Sequence, residues 1–283
     1  MLLSPSEAEA VHHGVEHAGE FNPGESILHH ILDSHEVEVF VPSIKFGLPA
    51  IHIGPYDLSI TKHVFFMWIA SAILLALFWL AGRRRHDAVP RGLRNVLETL
   101  IVFIRDEVVR KSIDKGPDRF LGYLLTTFYF ILTCNLLGLI PGSATPTGNI
   151  SVTAGLALVA FAVIQFGGIR ENGFVQHFKN LVPHGLPAWL IPIMFSLEFL
   201  SMFIKPFALC IRLFANMMAG HVVILAFISL IFILKQVWFV VAPMSIGFSL
   251  FVYLLEILVA FLQAYIFTML TAQFIGMSVH PAH

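Results

Sequence analysis

Two long apolar stretches near the C-terminus hold five ionisable residues. Residues 187–234 contain Glu198, Lys205, Arg212 and His221, and residues 237–279 contain Glu256. An ionisable group at the centre of a bilayer costs at least about 2.5–3.5 kcal/mol on insertion scales, so it lines a path or meets a partner. Arg212 has ALCI before it and LF after it, with no chain terminus within reach. A guanidinium stays protonated in proteins, whereas imidazole and carboxylate exchange protons near neutral pH or when their surroundings shift them. His221 and Glu256 are therefore candidates for carrying protons, and Arg212 for holding a fixed positive charge. Glu198 and Lys205 lie seven residues apart. They read either as a pair that snorkels to the interface or as polar groups along a path.

Helical spacing sorts these groups by face. At 100° per residue, Glu198, Lys205, Arg212, Asn216 and Gly220 fall within about 80° of one another, while His221 points about 180° from Arg212. One face thus carries a permanent cation with an amide and a small residue beside it. The opposite face carries a titratable imidazole. In the last stretch Ser249, Glu256 and Gln263 recur every seven residues and share a face. A buried glutamine alone is often interhelical glue. Together the groups suggest two parts of a proton route.

The elements that must position them are membrane helices. The chain has 283 residues, 57% hydrophobic and 12% charged, with a mean hydropathy of +0.81. Soluble domains carry roughly 25% charge, so lipid must cover part of this surface. Net charge is −1, which offers no basic field to nucleic acid. Cys134 and Cys210 both sit inside apolar runs, against a disulfide framework or a zinc site. Residues 1–59 form a polar, acidic, histidine-rich arm with no basic-then-apolar opening of a cleavable signal. Its histidines from His12 to His35 are irregularly spaced, the pattern of a solvated tail rather than a metal tract.

Charge also marks topology. Residues 64–82 are uncharged and near the length needed to cross a bilayer. Ten of the 17 Lys and Arg residues follow between 83 and 119. The positive-inside rule then puts the N-terminus outside the cytoplasm and this basic region inside. Leu93, Val96, Leu97, Leu100, Ile101, Ile104 and Val108 follow three-and-four spacing, so 90–112 reads as an amphipathic helix in the interface. Spans are expected at 120–140 and 150–168, with the turn PGSATPTG between them. The stretches 187–234 and 237–279 would each be roughly 65 Å long as straight helices, about twice a 30 Å hydrocarbon core. Each either folds back on itself or lies strongly tilted, and Pro206 and Pro243 are candidate bends. No inverted or tandem repeat is visible.

Three runs carry a family resemblance. KPFALCIRLFANMMAGH (205–221) and LEILVAFLQAYIFTMLTAQFI (255–275) closely resemble the signatures of subunit a of the F-type ATP synthase, and CNLLGLIP (134–141) resembles its earlier helix motif. The resemblance covers roughly residues 60–280. It implies an all-α polytopic membrane protein with about five membrane helices plus the interfacial helix, the last two helices long and strongly tilted. It implies a non-catalytic stator, without cofactor or metal, that provides two proton half-channels. Its partners would be a rotor ring of c subunits, the peripheral-stalk b subunits, the remaining ATP synthase subunits and membrane lipid. By the same resemblance, Arg212 falls on the stator arginine facing the ring carboxylates. Asn216 and Gln263 fall on polar positions near it, and His221 and Glu256 on the pair lining proton access. Glu198 and Lys205 fall on the cytoplasmic half. Asn135, in the earlier motif, and Ser249, on the face of Glu256, are expected on the proton pathway as well. Gly138 stands where some relatives have a carboxylate. The implied location is a bacterial inner membrane, with the C-terminus cytoplasmic.

Two other classes would also bury ionisable groups. A stand-alone proton channel or ion-coupled carrier would work without a rotor. A membrane oxidoreductase would pair histidines for haem, whereas His221 is the lone histidine deep in a span. No GxxxxGK[ST] motif for ATP hydrolysis occurs.

Overall fold

The computed structural model describes residues 36–38, 45–47, 52–53, 56–57, 61–83, 92–114, 116–140, 143, 145–179, 187 and 189–280. The histidine tract of the N-terminal arm lies outside the described residues. Within the arm, two short antiparallel hairpins are described. β1 (Glu36–Glu38) pairs with β2 (Lys45–Gly47), placing Val37 opposite Phe46, and β3 (His52–Ile53) pairs with β4 (Tyr56–Asp57). Beyond them, every regular element among the described residues is helical.

α1 (Lys62–Arg83) is followed by α2 (Leu93–Phe103), which passes through a π-helical segment, Ile104–Val109, into the short α3 (Arg110–Ser112). The wider π turn directs Ile104, Val108 and Val109 inward together. α4 (Pro117–Gly138) starts on a proline placed just after Gly116, which adopts φ 67°. Proline suits the first helical position because its missing N–H would have no helical partner there. α5 (Ile150–Asn172) is capped by Asn149, whose side chain accepts from the Ser151 N–H at 2.8 Å, and it stops at Gly173 with φ 79°. α6 (Phe174–Lys179) is short, and α7 (Ile191–Ile233) and α8 (Trp238–Val279) close the chain.

Among the described residues, five helices are long and apolar enough to cross a membrane: α1, α4, α5, α7 and α8. α7 and α8, of 43 and 42 residues, are each one helix rather than a hairpin. Pro206 and Pro243 are accommodated inside them. At 1.5 Å per residue each is about 65 Å long, so it fits a 30 Å core only when strongly tilted.

The chain forms two compact units. The larger takes the described residues of 33–220 and 253–280, and the smaller those of 221–252. In the larger unit α4 packs against α1, the π-helical segment and the 3-10 turn Pro146–Gly148. Its core draws Leu124, Phe128 and Ile131 from α4, Leu209 and Leu213 from α7, and Phe267 and Ile275 from α8. Tyr129 ties α2 to α4 by donating to the Leu97 carbonyl at 2.7 Å. In the smaller unit the described residues are the end of α7, the 3-10 turn Lys235–Val237 and the start of α8. There Phe227 and Phe248 stack with centroids 5.5 Å apart, and Ser229 and Ser245 are buried.

Candidate functional site

Helical spacing brings α7 and α8 together through polar groups and a glycine. The Asn216 amide Nδ2 donates to Gln263 Oε1 at 2.7 Å, and Gln263 is only 2% exposed. One turn further along α7, Gly220 has no side chain to keep Glu256 away. A Cβ built at Gly220 would fall on the Glu256 carboxyl, 2.6 Å from its Cδ. Glu256 is 7% exposed. The seven-residue spacing of Glu256 and Gln263 thus presents both to the same stretch of α7.

Arg212 is placed differently. Pro206, Leu209, Cys210, Leu213 and Met217 are buried and mark the inward stripe of α7. By helical rotation Arg212 lies about 115° from the middle of that stripe, and its side chain is exposed. Ala208, Ala215 and Ala219 are exposed around it, all within about 60° of it by the same rotation. Among the described residues, no ion pair or hydrogen bond engages Arg212. Lys205 and Glu198 do not pair with each other. The Lys205 ammonium lies 5.4 Å from the centroid of the Phe274 ring on α8, and Glu198 is half-buried without a described partner. His221 and Ser249 belong to the smaller unit, both half-buried, and the Ser249 hydroxyl oxygen is buried with no hydrogen-bond partner among the described residues.

Asn135, on α4, has no exposed surface and uses both ends of its amide. Nδ2 donates to the Ala260 carbonyl of α8 at 3.1 Å, and Oδ1 accepts from the Thr147 hydroxyl at 2.6 Å. Gly138, where some relatives carry a carboxylate, is closed over. A Cβ there would fall on Thr145, 2.7 Å from its Cβ. The turn containing Thr145 and Thr147 therefore occupies the room an acid would need. Nothing in the spacing of the TPTG run announces this, because two threonines in a loop read as solvated.

On the π-helical segment, on α3 and between α4 and α5, charges are paired. Asp106 receives Arg105 Nε and Arg110 Nη1, both at 2.9 Å, Glu107 pairs with Lys111, and Arg119 bridges to Glu171. The Arg105 hydrogen bond holds the Asp106 carboxyl below the usual carboxylate range, and the reciprocal bond raises the Arg105 guanidinium. Glu107 raises the Lys111 ammonium in the same way. His177 of α6 is buried, with Nε2 2.9 Å from Gln165 Oε1. Its Nδ1 is 2.6 Å from where a Cβ on Gly168 would sit. Burial pushes its pKa down. In sequence it marks only a loop, and no periodicity points to it. Among the described residues, no cluster of three or more His, Cys, Asp or Glu side chains could hold a metal ion. Cys134 and Cys210 are free and buried.

Known proteins share this arrangement of sequence. A family profile described as ATP synthase A chain matches residues 64–276, from α1 to near the end of α8. The chain belongs to the ATP synthase subunit a family. ATP synthase subunit a of Chloroherpeton thalassium is 49% identical over 262 residues, covering 90% of this chain and 77% of that one. The subunit a of Chlorobium phaeobacteroides strain BS1 is 48% identical, covering 98% and 86%. That of Anaeromyxobacter dehalogenans is 44% identical, covering 95% and 75%. As a member of the subunit a family with five apolar helices of spanning length, the chain is an integral membrane component of an ATP synthase complex. The matched segment of this chain includes Arg212, Asn216, His221, Glu256 and Gln263.

Proposed function

We propose that this chain is the proton-conducting stator of a rotary ATP synthase, with Arg212 facing the carboxylates of a rotor ring. The observation that carries this reading is the exposed arginine in the middle of an apolar helix, unengaged by any described residue. Leaving such a charge against lipid is costly, so a partner covers it, and the partner best suited to a guanidinium is a carboxylate. The alanines around Arg212 remove side chains that would keep a partner helix at a distance.

The chemistry follows from charge. A ring carboxylate arriving beside a fixed cation is favoured in its ionised form and releases its proton. Arg212 cannot release its own proton. It therefore separates two access routes instead of relaying between them. His221, Glu256 and Ser249 line the route from the extracytoplasmic side, and Glu198 and Lys205 lie on the cytoplasmic half. The Asn216–Gln263 hydrogen bond holds α7 to α8 one turn beyond Arg212. Proton flow turns the ring, and ATP is made or hydrolysed on other subunits, with b subunits holding the stator. The chain lies in a bacterial inner membrane with its N-terminus extracytoplasmic and its C-terminus cytoplasmic.

Replacing Arg212→Ala in vesicles carrying the whole complex should abolish ATP-driven acidification while the subunits still assemble. Pumping at the normal rate would sink the assignment. Purified chain that conducts protons without a ring would instead support the stand-alone channel.

A further inference from the structure

Asn135 is fully buried, and both ends of its amide are engaged. An amide side chain donates and accepts hydrogen bonds but does not titrate. It is therefore poorly suited to hand protons on. Its orientation is fixed: the Thr147 hydroxyl donates to Oδ1, which leaves Nδ2 to donate to the Ala260 carbonyl. Ala260 sits four residues after Glu256 and three before Gln263. By helical rotation its position lies within about 40° of Glu256. On the α7 side, the Gly220 backbone is so close to the Glu256 carboxyl that a Cβ would fall on it. Glu256 is thus confined by α7, while one turn along the same helix α8 is tied to α4.

We infer that Asn135, oriented by Thr147, is a positioning residue that fixes α8 between Glu256 and Gln263 and thereby sets where the Glu256 carboxyl lies. The inference rests on the reading of Glu256 as a proton-access group. Thr147 suits this task. It has no exposed surface, and its Pro146–Gly148 turn is closed by the Gly148 N–H donating to the Thr145 carbonyl at 3.0 Å. The turn packs on both α1 and α4, so the hydroxyl is presented from a firm base. Close-packed interiors do not deform continuously. Loss of the clamp should move α8 rather than leave it in place.

The test is passive proton conduction, measured across pH, in membrane vesicles carrying the complete membrane complex after removal of its ATP-hydrolysing sector. Asn135→Leu should cut the rate about tenfold or more, since a misplacement near 1 Å can cost a hundredfold. It should also move the pH midpoint of conduction, because the Glu256 surroundings change. Thr147→Val should do the same to a smaller degree. Combined with Glu256→Gln, Asn135→Leu should add little, because both act on one step. Impaired conduction in Glu256→Gln beside a normal rate and midpoint in Asn135→Leu overturns the clamp alone. A slower rate with an unmoved midpoint and full additivity makes Asn135 merely structural and also overturns it. Normal conduction in Glu256→Gln removes the reading on which the clamp rests, and the clamp with it. If Asn135→Leu does not assemble, Thr147→Val decides, and a normal rate and midpoint there overturn the inference.

Discussion

Between Arg94 and Lys111 every charged side chain has a partner, whereas on α7 Arg212 and Glu198 have none among the described residues. The first set lies on the amphipathic α2 and its continuation through the π-helical segment into α3. Its pairs form between near neighbours, several at the four-residue spacing. Exposed pairs of this kind contribute about 0–1 kcal/mol each, so their loss is tolerable. The second set sits in an apolar helix where an unpaired charge is expensive. The fold does little to neutralise it from within. Charge along α2 and its continuation is matched locally. Arg212 and Glu198 on α7 are left open among the described residues.

The sharpest way to break that contrast is to disturb the close contact on α7 without touching a charge. Gly220→Ala places a methyl on the Glu256 carboxyl, and proton conduction should fall at least about tenfold, a misplacement effect. Passive conduction in vesicles checks this. A normal rate would mean that α7 and α8 can slide apart freely. A smaller effect is expected at His177. Burial lowers its pKa in the folded chain. As pH falls through the ordinary histidine value near 6.5, the unfolded segment takes up a proton that the folded site refuses. Stability therefore rises with pH across the window below that value. The protection of amides 174–179, taken relative to the intrinsic exchange rate at each pH, should fall on acidification, and His177→Gln should remove that fall. The smallest effect belongs to the pairs on α2 and its continuation. Asp106→Asn should change stability only slightly, since exposed pairs are screened by solvent, and leave ATP-driven pumping unaltered. The folded Asp106 pKa is depressed, so its contribution exists above the ordinary carboxylate range and disappears as pH falls through the folded value. A large loss of pumping in Asp106→Asn would erase the distinction between the two regions.

Much of the helical layout was legible because lipid makes hydropathy a strong signal. The uncharged run at 64–82 became α1, and the three-and-four spacing after residue 92 became α2. Hydropathy could not separate a long tilted helix from a hairpin, since both bury the same apolar residues. Continuity through Pro206 is a property of the backbone and its neighbours. The wheel put Asn216 and Gly220 on one face, and the structure shows that face meeting Gln263 and Glu256. It grouped Arg212 with them too, yet rotation by a few tens of degrees decides which side chains of one face reach α8 and which, like Arg212, engage no described residue. That rotation is set by packing. The clamp at Asn135 was less legible still. Its partners are a backbone carbonyl more than a hundred residues away and a threonine in a turn. Neither has a sequence signature. The π-helical segment at 104–109 was also hidden, because one extra residue in a turn leaves the composition unchanged.

The end of α8 has a mechanical consequence. Asn172 of α5 donates to the carbonyls of Ser278 and Val279 at 3.1 and 3.2 Å, and the Ser278 hydroxyl donates back to the Ile164 carbonyl at 2.9 Å. The last carbonyls of a helix are normally left to water. Here they are bolted to a neighbouring helix in two directions. A rod pushed sideways near its middle deflects less when its tip is held than when it is free. Any lateral load on α8 is therefore passed into α5, and the pins at Asn172 and Ser278 set how stiff that beam is.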